Sequence, residues 1–525
     1  MIKIPKEIKF VVEKLEKEGF EAFLVGGCVR DMFLGKNPKD WDITTSAKPK
    51  EIQKIFADSF YKNKFLTVTV KTKSKNDEFK EIEVTTYRKE AKYTDKRHPD
   101  KVEFAKTIEE DLSRRDFTVN AMALKPSAGR QALGLKLIDP FNGEKDLKNK
   151  VIRAVGKPEN RLQEDALRLL RAVRFAAVLN FAPKDKEGIR DQNKNNETKK
   201  VFHVKQPQKE EFKAKEWENW EIEQKTLKAI KKNAHLIQAV SKERTRDEFE
   251  KIIMSENAYE GLMLMHNTGL LKYVIPELEK CYNVGQNRHH IYNVFEHSLL
   301  SLKYAAKYKY GLNVRLAALF HDIAKPQTKS GKGAYCTFYN HDVVGAKIAM
   351  RILSRLRFPK KTVEKVGLLV RYHMFFYDPE TVTESSVRKL LRRVGPENIK
   401  ELIEVRICDR KGSGVPKAKP YRLRHFEYMV SKVSRDPISV SMLKINGNDI
   451  INALKIKPGP KIGLILNALL SEVLEDPLKN KKIFLKKRVD QLEKLNEKKL
   501  KSLGETIKEK KTEIEQEEKS KFYIH

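Results

Sequence analysis

The chain has 525 residues, with 107 lysines and arginines against 72 aspartates and glutamates, for a formal net charge of +35. That excess points to a polyanionic partner (RNA, DNA or an anionic membrane surface), and the 40% hydrophobic content suffices for the cores of three or four domains. Four singly scattered cysteines without a CxxC pair argue against structural zinc and a disulfide framework. The N-terminus MIKIPKEIKF lacks a signal-peptide core, and no apolar run reaches the ~18 residues of a membrane span. The expected location is therefore cytoplasmic, with no membrane partner.

Residues 6–18 (KEIKFVVEKLEKE) have helical periodicity, with Ile8, Val11, Val12 and Leu15 on one face. Ala22 to Val25 reads as a short buried strand stopped by Gly26-Gly27, and Trp41 to Thr44 as a second strand. FLTVTVKT (65–72) and EIEVTTYR (81–88) are alternating and β-branched, with KSKND as the turn between them. Segment 1–150 is thus predicted to be a compact α+β unit around a small sheet. After residue 157 the pattern becomes helical: 161–179 (RLQEDALRLLRAVRFAAVL) reads as one strong amphipathic helix. Residues 183–218 are polar and aliphatic-poor, and read as a solvated insertion. Helical signal returns at 225, and 241–253 (SKERTRDEFEKII) has Ser241 as its N-cap candidate. A His-rich helical segment covers 285–412, followed by turns and short helices over 413–480. From Phe484 onward a charged helix carries a thin apolar stripe (Leu485, Val489, Leu492, Leu503, Ile507). It reads first as a solvated tail, with a basic RNA-facing surface as the alternative.

Asp40 and Asp42 occupy alternate positions of the expected strand, which puts both carboxylates on one face. Facing carboxylates repel unless a cation or a proton lies between them, and hard oxygen ligands suit Mg²⁺. Glu83 is the candidate third carboxylate. Gly26 and Gly27 let the backbone approach a phosphate closely, and Arg30 is placed to meet a triphosphate. No GxxxxGK[ST] P-loop occurs.

GG followed by VRD and DWD resembles the catalytic head of class II tRNA nucleotidyltransferases, the CCA-adding enzymes and their poly(A) polymerase relatives. The likeness continues through RRDFTVNAMA (114–123), LIDPFNGEKDLKNKVIRAVG (137–156) and RLQEDALRLLRAVRFA (161–176), and covers nearly the whole chain except 183–218 and the last forty or so residues. It implies a small mixed-sheet nucleotidyltransferase head over 1–150, then mostly α-helical parts. These are a neck and body over 151–275 and a tail over 413–525 that binds RNA. The partners implied are tRNA, CTP and ATP. The catalytic set would be Asp40, Asp42 and Glu83, with Mg²⁺ on the aspartates. By resemblance, Asp165 and Arg168 read the base, and the chemistry is apt: cytosine and adenine both offer an exocyclic amine beside a ring-nitrogen acceptor. A carboxylate accepts from the first and a guanidinium donates to the second. Arg115, Arg171 and Arg174 are candidates for phosphate or nucleotide contacts.

Within the family, the loop KEAKYTDKRHPDKVEF (89–104) is one that CC-adding relatives lack. Lys64-Phe65-Leu66 before the TVTV strand departs from the family's usual Gly or His, which keeps A-adding and poly(A) polymerase activities open beside CCA addition. Further on, His297, His321-Asp322 and Asp409 follow the order H…HD…D of the HD phosphohydrolase superfamily, which implies an HD domain over 280–412. Those four residues would bind a divalent transition metal, with His341 and His373 available for a second ion or a phosphate. That site brings in a further activity, metal-dependent hydrolysis of phosphoesters at RNA ends. The sequence leaves the oligomeric state open.

Overall fold

The structure, a computed structural model, describes residues 3–62, 66–91, 101–126, 136–179, 221–287, 291–375, 377–380, 382–414, 420–434, 443–475, 477–497, 499–500 and 502–503. The expected insertion 183–218 and the middle of the 89–104 loop lie outside the described residues. The chain forms two compact units that divide between Val370 and Arg371.

The first unit opens with α1 (Lys6–Lys17), which buries Ile8, Val11, Val12 and Leu15, the face its periodicity predicts. The fully buried β1 (Ala22–Val25) ends at Gly26, whose φ of 75° is open to glycine and strained for other residues. Then come α2 (Gly27–Phe33), β2 (Asp42–Thr45), α3 (Pro49–Ile55), β3 (Ser59–Lys62), β4 (Thr67–Lys71), β5 (Glu81–Thr86), β6 (Arg88–Ala91), β7 (Lys101–Phe104), α4 (Ile108–Ser113), β8 (Ala123–Lys125) and β9 (Lys136–Ile138). Seven strands make one mixed sheet in the order β3-β4-β5-β2-β1-β8-β9, and β6 and β7 form a separate antiparallel pair. β2 is antiparallel to β1 and parallel to β5. With Ile43 opposite Val84, that register sets Asp42 and Glu83 in neighbouring positions of adjacent strands.

One expectation is corrected here: Asp40 is not on a strand. β1 turns away at Gly26, so its last pair is Val25 with Asp42, and the residues before Asp42 have no strand partner. Asp40 lies in an exposed bend just ahead of β2.

Next follow α5 (Gly143–Lys148), β10 (Val151–Ile152), α6 (Pro158–Glu164), α7 (Leu167–Val178), β11 (Glu221–Ile222), α8 (Gln224–Asn233), α9 (Lys242–Met254), α10 (Ala258–Asn267), α11 (Leu271–Val274) and α12 (Pro276–Glu279). The single helix expected over 161–179 is therefore two helices. Asp165 has extended backbone, φ −130° and ψ 105°, and its carboxylate accepts the amide of Leu167 at 3.0 Å. A short acidic side chain here competes with the helical ladder and starts a new helix. Ser241 stands at the N-cap of α9, but its side chain makes no cap hydrogen bond. The unit closes with α13 (Val294–Lys307), α14 (Leu312–Phe320), α15 (Lys325–Thr328), α16 (His341–Arg355) and α17 (Lys360–Tyr372), the last running across the division.

The second unit contains α18 (Glu384–Val394), α19 (Ile399–Gly412), α20 (Tyr421–Ser434), α21 (Gly447–Leu454), α22 (Pro460–Glu475) and α23 (Lys482–Glu493). The stripe expected to lie on a solvated tail is instead core: Leu485, Val489, Leu492 and Leu500 are buried with Ile450, Ile465 and Leu469. Three or four apolar residues at helical spacing suffice once α21 and α22 supply the facing surface. Ile507 lies outside the described residues.

Candidate functional site

A pocket of about 490 Å³ in the head is lined by Val25, Asp42, Ile43, Thr67, Glu83, Thr85, Arg88, Arg114 and Arg115. Two acidic and three guanidinium groups thus share one opening at the ends of β2, β4 and β5. Burial raises the Asp42 carboxyl above its ordinary value. Arg115 opposes that rise, while the nearby charges of Asp40 and Glu83 add to it. A buried carboxyl raised by burial and by two neighbouring acids belongs to a donor set that a hard divalent cation relieves. A Cβ on Gly26 would stand 2.7 Å from Arg115 Nη1 and 3.6 Å from Asp42 Oδ2, so only glycine leaves the guanidinium its place beside the carboxylate.

Arg115 donates to Asp111 Oδ2 at 3.3 Å, and Arg114 to Asp111 Oδ1 at 2.8 Å. Asp111 is fully buried, which by itself raises its carboxyl, but the two arginines outweigh burial and hold it below the usual value. The buried acid thereby aims two guanidinium groups. Arg30 bonds Asn120 Oδ1 at 2.7 Å and Asp31 at 2.9 Å, tying α2 to the turn after Asp116. Gly27 opens α2, and a Cβ there would lie 3.7 Å from Arg30 Nη2.

Asp165 and Arg168 stand on either side of the break between α6 and α7 rather than along one helix. Arg244 on α9 donates to Asp165 Oδ2 at 2.7 Å. Arg168 is buried, and donates to Glu164 at 2.6 Å and to the carbonyls of Arg161 and Arg114 at 2.9 and 3.1 Å. Arg171 donates twice to Asp116 Oδ2, at 2.8 and 2.6 Å. Arg174 pairs with Glu248 at 2.5 Å, its guanidinium carbon 3.8 Å from the Phe175 ring centroid. Arg171 and Arg174 thus hold buried acids as partners in this structure.

Sequence reasoning passed over Arg88, Arg114 and Arg244. Arg114 had a local signal, its place beside Arg115 in RRDFT. Arg244 had none, because its pairing with Asp165 spans 79 residues.

A second cluster forms among the helices of the first unit. His297 of α13 and His321, the residue that ends α14, point their Nε2 atoms at one another 2.9 Å apart, and each lies 3.3 Å from Asp322 Oδ2. His341, the first residue of α16, brings its Nε2 to 3.5 Å from Asp322 Oδ1. The Nδ1 atoms of His321 and His341 lie 2.8 Å from the carbonyls of Ala318 and Phe338. A carbonyl only accepts, so each Nδ1 carries the proton and each Nε2 keeps its lone pair for a metal. Burial alone would raise Asp322, but the Lys325 ammonium at 2.6 Å holds its carboxyl well below the usual range. An ionised carboxylate among buried, convergent imidazole nitrogens fits a divalent transition metal. His373 and Asp409 belong to the second unit, where both are buried and Arg406 pairs with Asp409 at 2.6 Å.

These two centres define a nucleotidyltransferase-type head joined to an HD-type cluster, and comparison with known proteins agrees. Residues 22–153 match the poly A polymerase head domain, 219–282 the probable RNA and SrmB-binding site of polymerase A, and 294–411 the HD domain. The chain thus carries a poly A polymerase head domain, the RNA-binding region of that polymerase and an HD domain, and it is similar to CCA-adding enzymes. Both component families are metal-dependent.

A CCA-adding enzyme of Ligilactobacillus salivarius is 39% identical over 273 residues, 51% of this chain and 55% of that protein, so the match spans about half of that relative's length. One of Streptococcus uberis is 29% identical over 485 residues, 92% of this chain and 96% of that protein. Among solved structures, the Bacillus stearothermophilus CCA-adding enzyme in complex with CTP is similar with a TM-score of 0.55 and 25% identity, over 93% of this chain and 98% of that one. No described helix is long and apolar enough to cross a membrane.

Proposed function

We propose that the protein adds CCA to the 3′ ends of tRNA from CTP and ATP, without a nucleic-acid template and with release of pyrophosphate. The observation that carries this reading is the pocket in which Asp42 and Glu83 face Arg88, Arg114 and Arg115. Asp40, Asp42 and Glu83 would hold Mg²⁺, which when bound activates the attacking hydroxyl and steadies charge on the phosphates.

The protein's own side chains bind and orient. The backbone at Gly26 and Gly27 admits the triphosphate at close range. Arg115, fixed by Asp111, neutralises phosphate charge beside Asp42, and Arg88 and Arg114 extend that field. The primer's 3′-oxygen bonds the α-phosphorus as the bond to the β-phosphate oxygen breaks.

Asp165 and Arg168 would select the base, Asp165 accepting from the exocyclic amine and Arg168 donating to the ring nitrogen. For Arg168 this requires giving up hydrogen bonds it now makes to Glu164 and backbone carbonyls. Arg30, Arg171 and Arg174 would act indirectly, by fixing the turn after Asp116 and the helix α7. The basic surplus would grip tRNA phosphates, so binding weakens as salt rises. The setting in which tRNA is processed makes a cytoplasmic location the expected one.

The test is incubation with tRNA transcripts ending before CCA, after C and after CC, each with labelled CTP or ATP. The expected products stop at CCA, and Asp42→Ala makes none. A long A tail with ATP alone on the shortest primer would instead identify a poly(A) polymerase.

The geometry around Asp322 favours a second activity in the same chain, metal-dependent hydrolysis of phosphoesters at RNA ends. His297, His321 and Asp322 would hold a divalent transition metal that supplies an activated water when bound.

A further inference from the structure

A groove of about 860 Å³ opens where α1, the end of α3 and the C-terminal end of β4 meet. Lys6, Lys14, Lys71, Lys73 and Lys75 line it, against two acids, Glu7 and Asp58, so three positive charges are in surplus. None of the five ammonium groups lies within ion-pair distance of a carboxylate among the described residues. The turn that carries Lys73 and Lys75 is tied to α1 by Ser74 Oγ, which donates to Glu7 Oε1 at 2.8 Å. The lysines are therefore held around the groove by structure, despite their mutual repulsion.

The groove also has an aromatic surface. Phe10 is 53% exposed and meets the buried Phe56 edge to face at 6.4 Å. Lys14 Nζ lies 4.8 Å from the Phe56 centroid and 5.9 Å from that of Phe10. An open aromatic face amid unpaired ammonium groups offers stacking for a base and counter-charge for its phosphates, the combination that binds single strands without sequence preference. An acidic peptide would use the lysines and leave the ring unused.

We propose that this groove is a binding site for single-stranded RNA, with a base on Phe10 and phosphates against Lys14, Lys71, Lys73 and Lys75. The site is separate from the nucleotide pocket. Thr67 lines that pocket and Lys71 lines the groove, at opposite ends of β4 and roughly 13 Å apart along the strand. The inference does not depend on which nucleotides the protein adds.

The experiment titrates the full-length protein with a fluorescein-labelled single-stranded oligouridylate across a range of salt. The Lys71→Gln/Lys73→Gln/Lys75→Gln variant loses three phosphate partners, so the slope of log K against log salt becomes shallower by about 2. Phe10→Ala lowers affinity by about 10-fold at fixed salt. A 4-thiouridine oligomer cross-links to the peptide containing Phe10, and Asp42→Ala leaves affinity unchanged while removing nucleotide addition. Thermal melting checks that each variant folds. An unchanged slope in the lysine variant, or cross-links confined to other peptides, overturns the proposal. So does displacement of the oligomer by polyglutamate as readily as by unlabelled RNA, with Phe10→Ala silent. The overturning results leave CCA addition untouched, since the primer-extension assay reads it separately.

Discussion

Arg171→Ala separates two roles for the arginines of α7. In the structure Arg171 makes two short bonds to one oxygen of Asp116, whose side chain is 9% exposed. Its removal leaves Asp116 buried with Asn120 and the Phe117 amide as its remaining partners. Breaking a buried ion pair from one side costs about 3–5 kcal/mol, and the 32% exposure of the Arg171 side chain brings this to about 2–3 kcal/mol. With a urea slope of about 3 kcal/mol per molar, the unfolding midpoint drops by about 1 M. Burial by itself raises the Asp116 carboxyl, yet Arg171 and Asn120 outweigh it and hold it below the usual value. A depressed carboxyl contributes stability above its unfolded value and loses it as pH falls through the folded one. The gap between wild type and variant is therefore full at neutral pH and closes from about pH 5 downward. The assay is urea denaturation followed by circular dichroism at several pH values, with KM for CTP measured in parallel. An unchanged midpoint with a raised KM would refute the structural role and make Arg171 a nucleotide contact.

Gly26→Ala forces a φ of 75° on an L-residue and drives a methyl toward Arg115, at a cost of about 1–3 kcal/mol. Its melting temperature falls and CTP incorporation drops by about 10-fold; wild-type values for both would show that Arg115 has no fixed place over the glycine. His321→Ala weakens binding of a divalent transition metal by at least about 10-fold in equilibrium dialysis and leaves nucleotide addition intact. Retained metal affinity would dissolve the His297–His321–Asp322 centre. Arg244→Ala releases the Asp165 carboxylate, and the preference for CTP over UTP in kcat/KM falls by about 10-fold, or ~1.4 kcal/mol. Unaltered selectivity, with normal folding, would remove Arg244 from any part in base choice.

Local order was legible in the residues themselves. The buried face of α1, the end of β1 at Gly26 and the alternating strands β4 and β5 follow from apolar spacing and backbone freedom, which are properties of a few neighbouring residues. The chemistry-bearing residue types were legible too, as DWD, EDALR and HD. Which of them meet was decided elsewhere. Glu83 stands beside Asp42 because β5 pairs in parallel with β2, and Asp40 falls off the strand because β1 ends at Gly26. The break at Asp165 and its ion pair with Arg244, like that of Arg171 with Asp116, join segments dozens of residues apart. The stripe of α23 became core only because α21 and α22 face it. Periodicity states what a segment needs to bury; its partner is chosen by burial over the whole fold, where an acid without its arginine or an apolar stripe without a facing helix is too costly to keep.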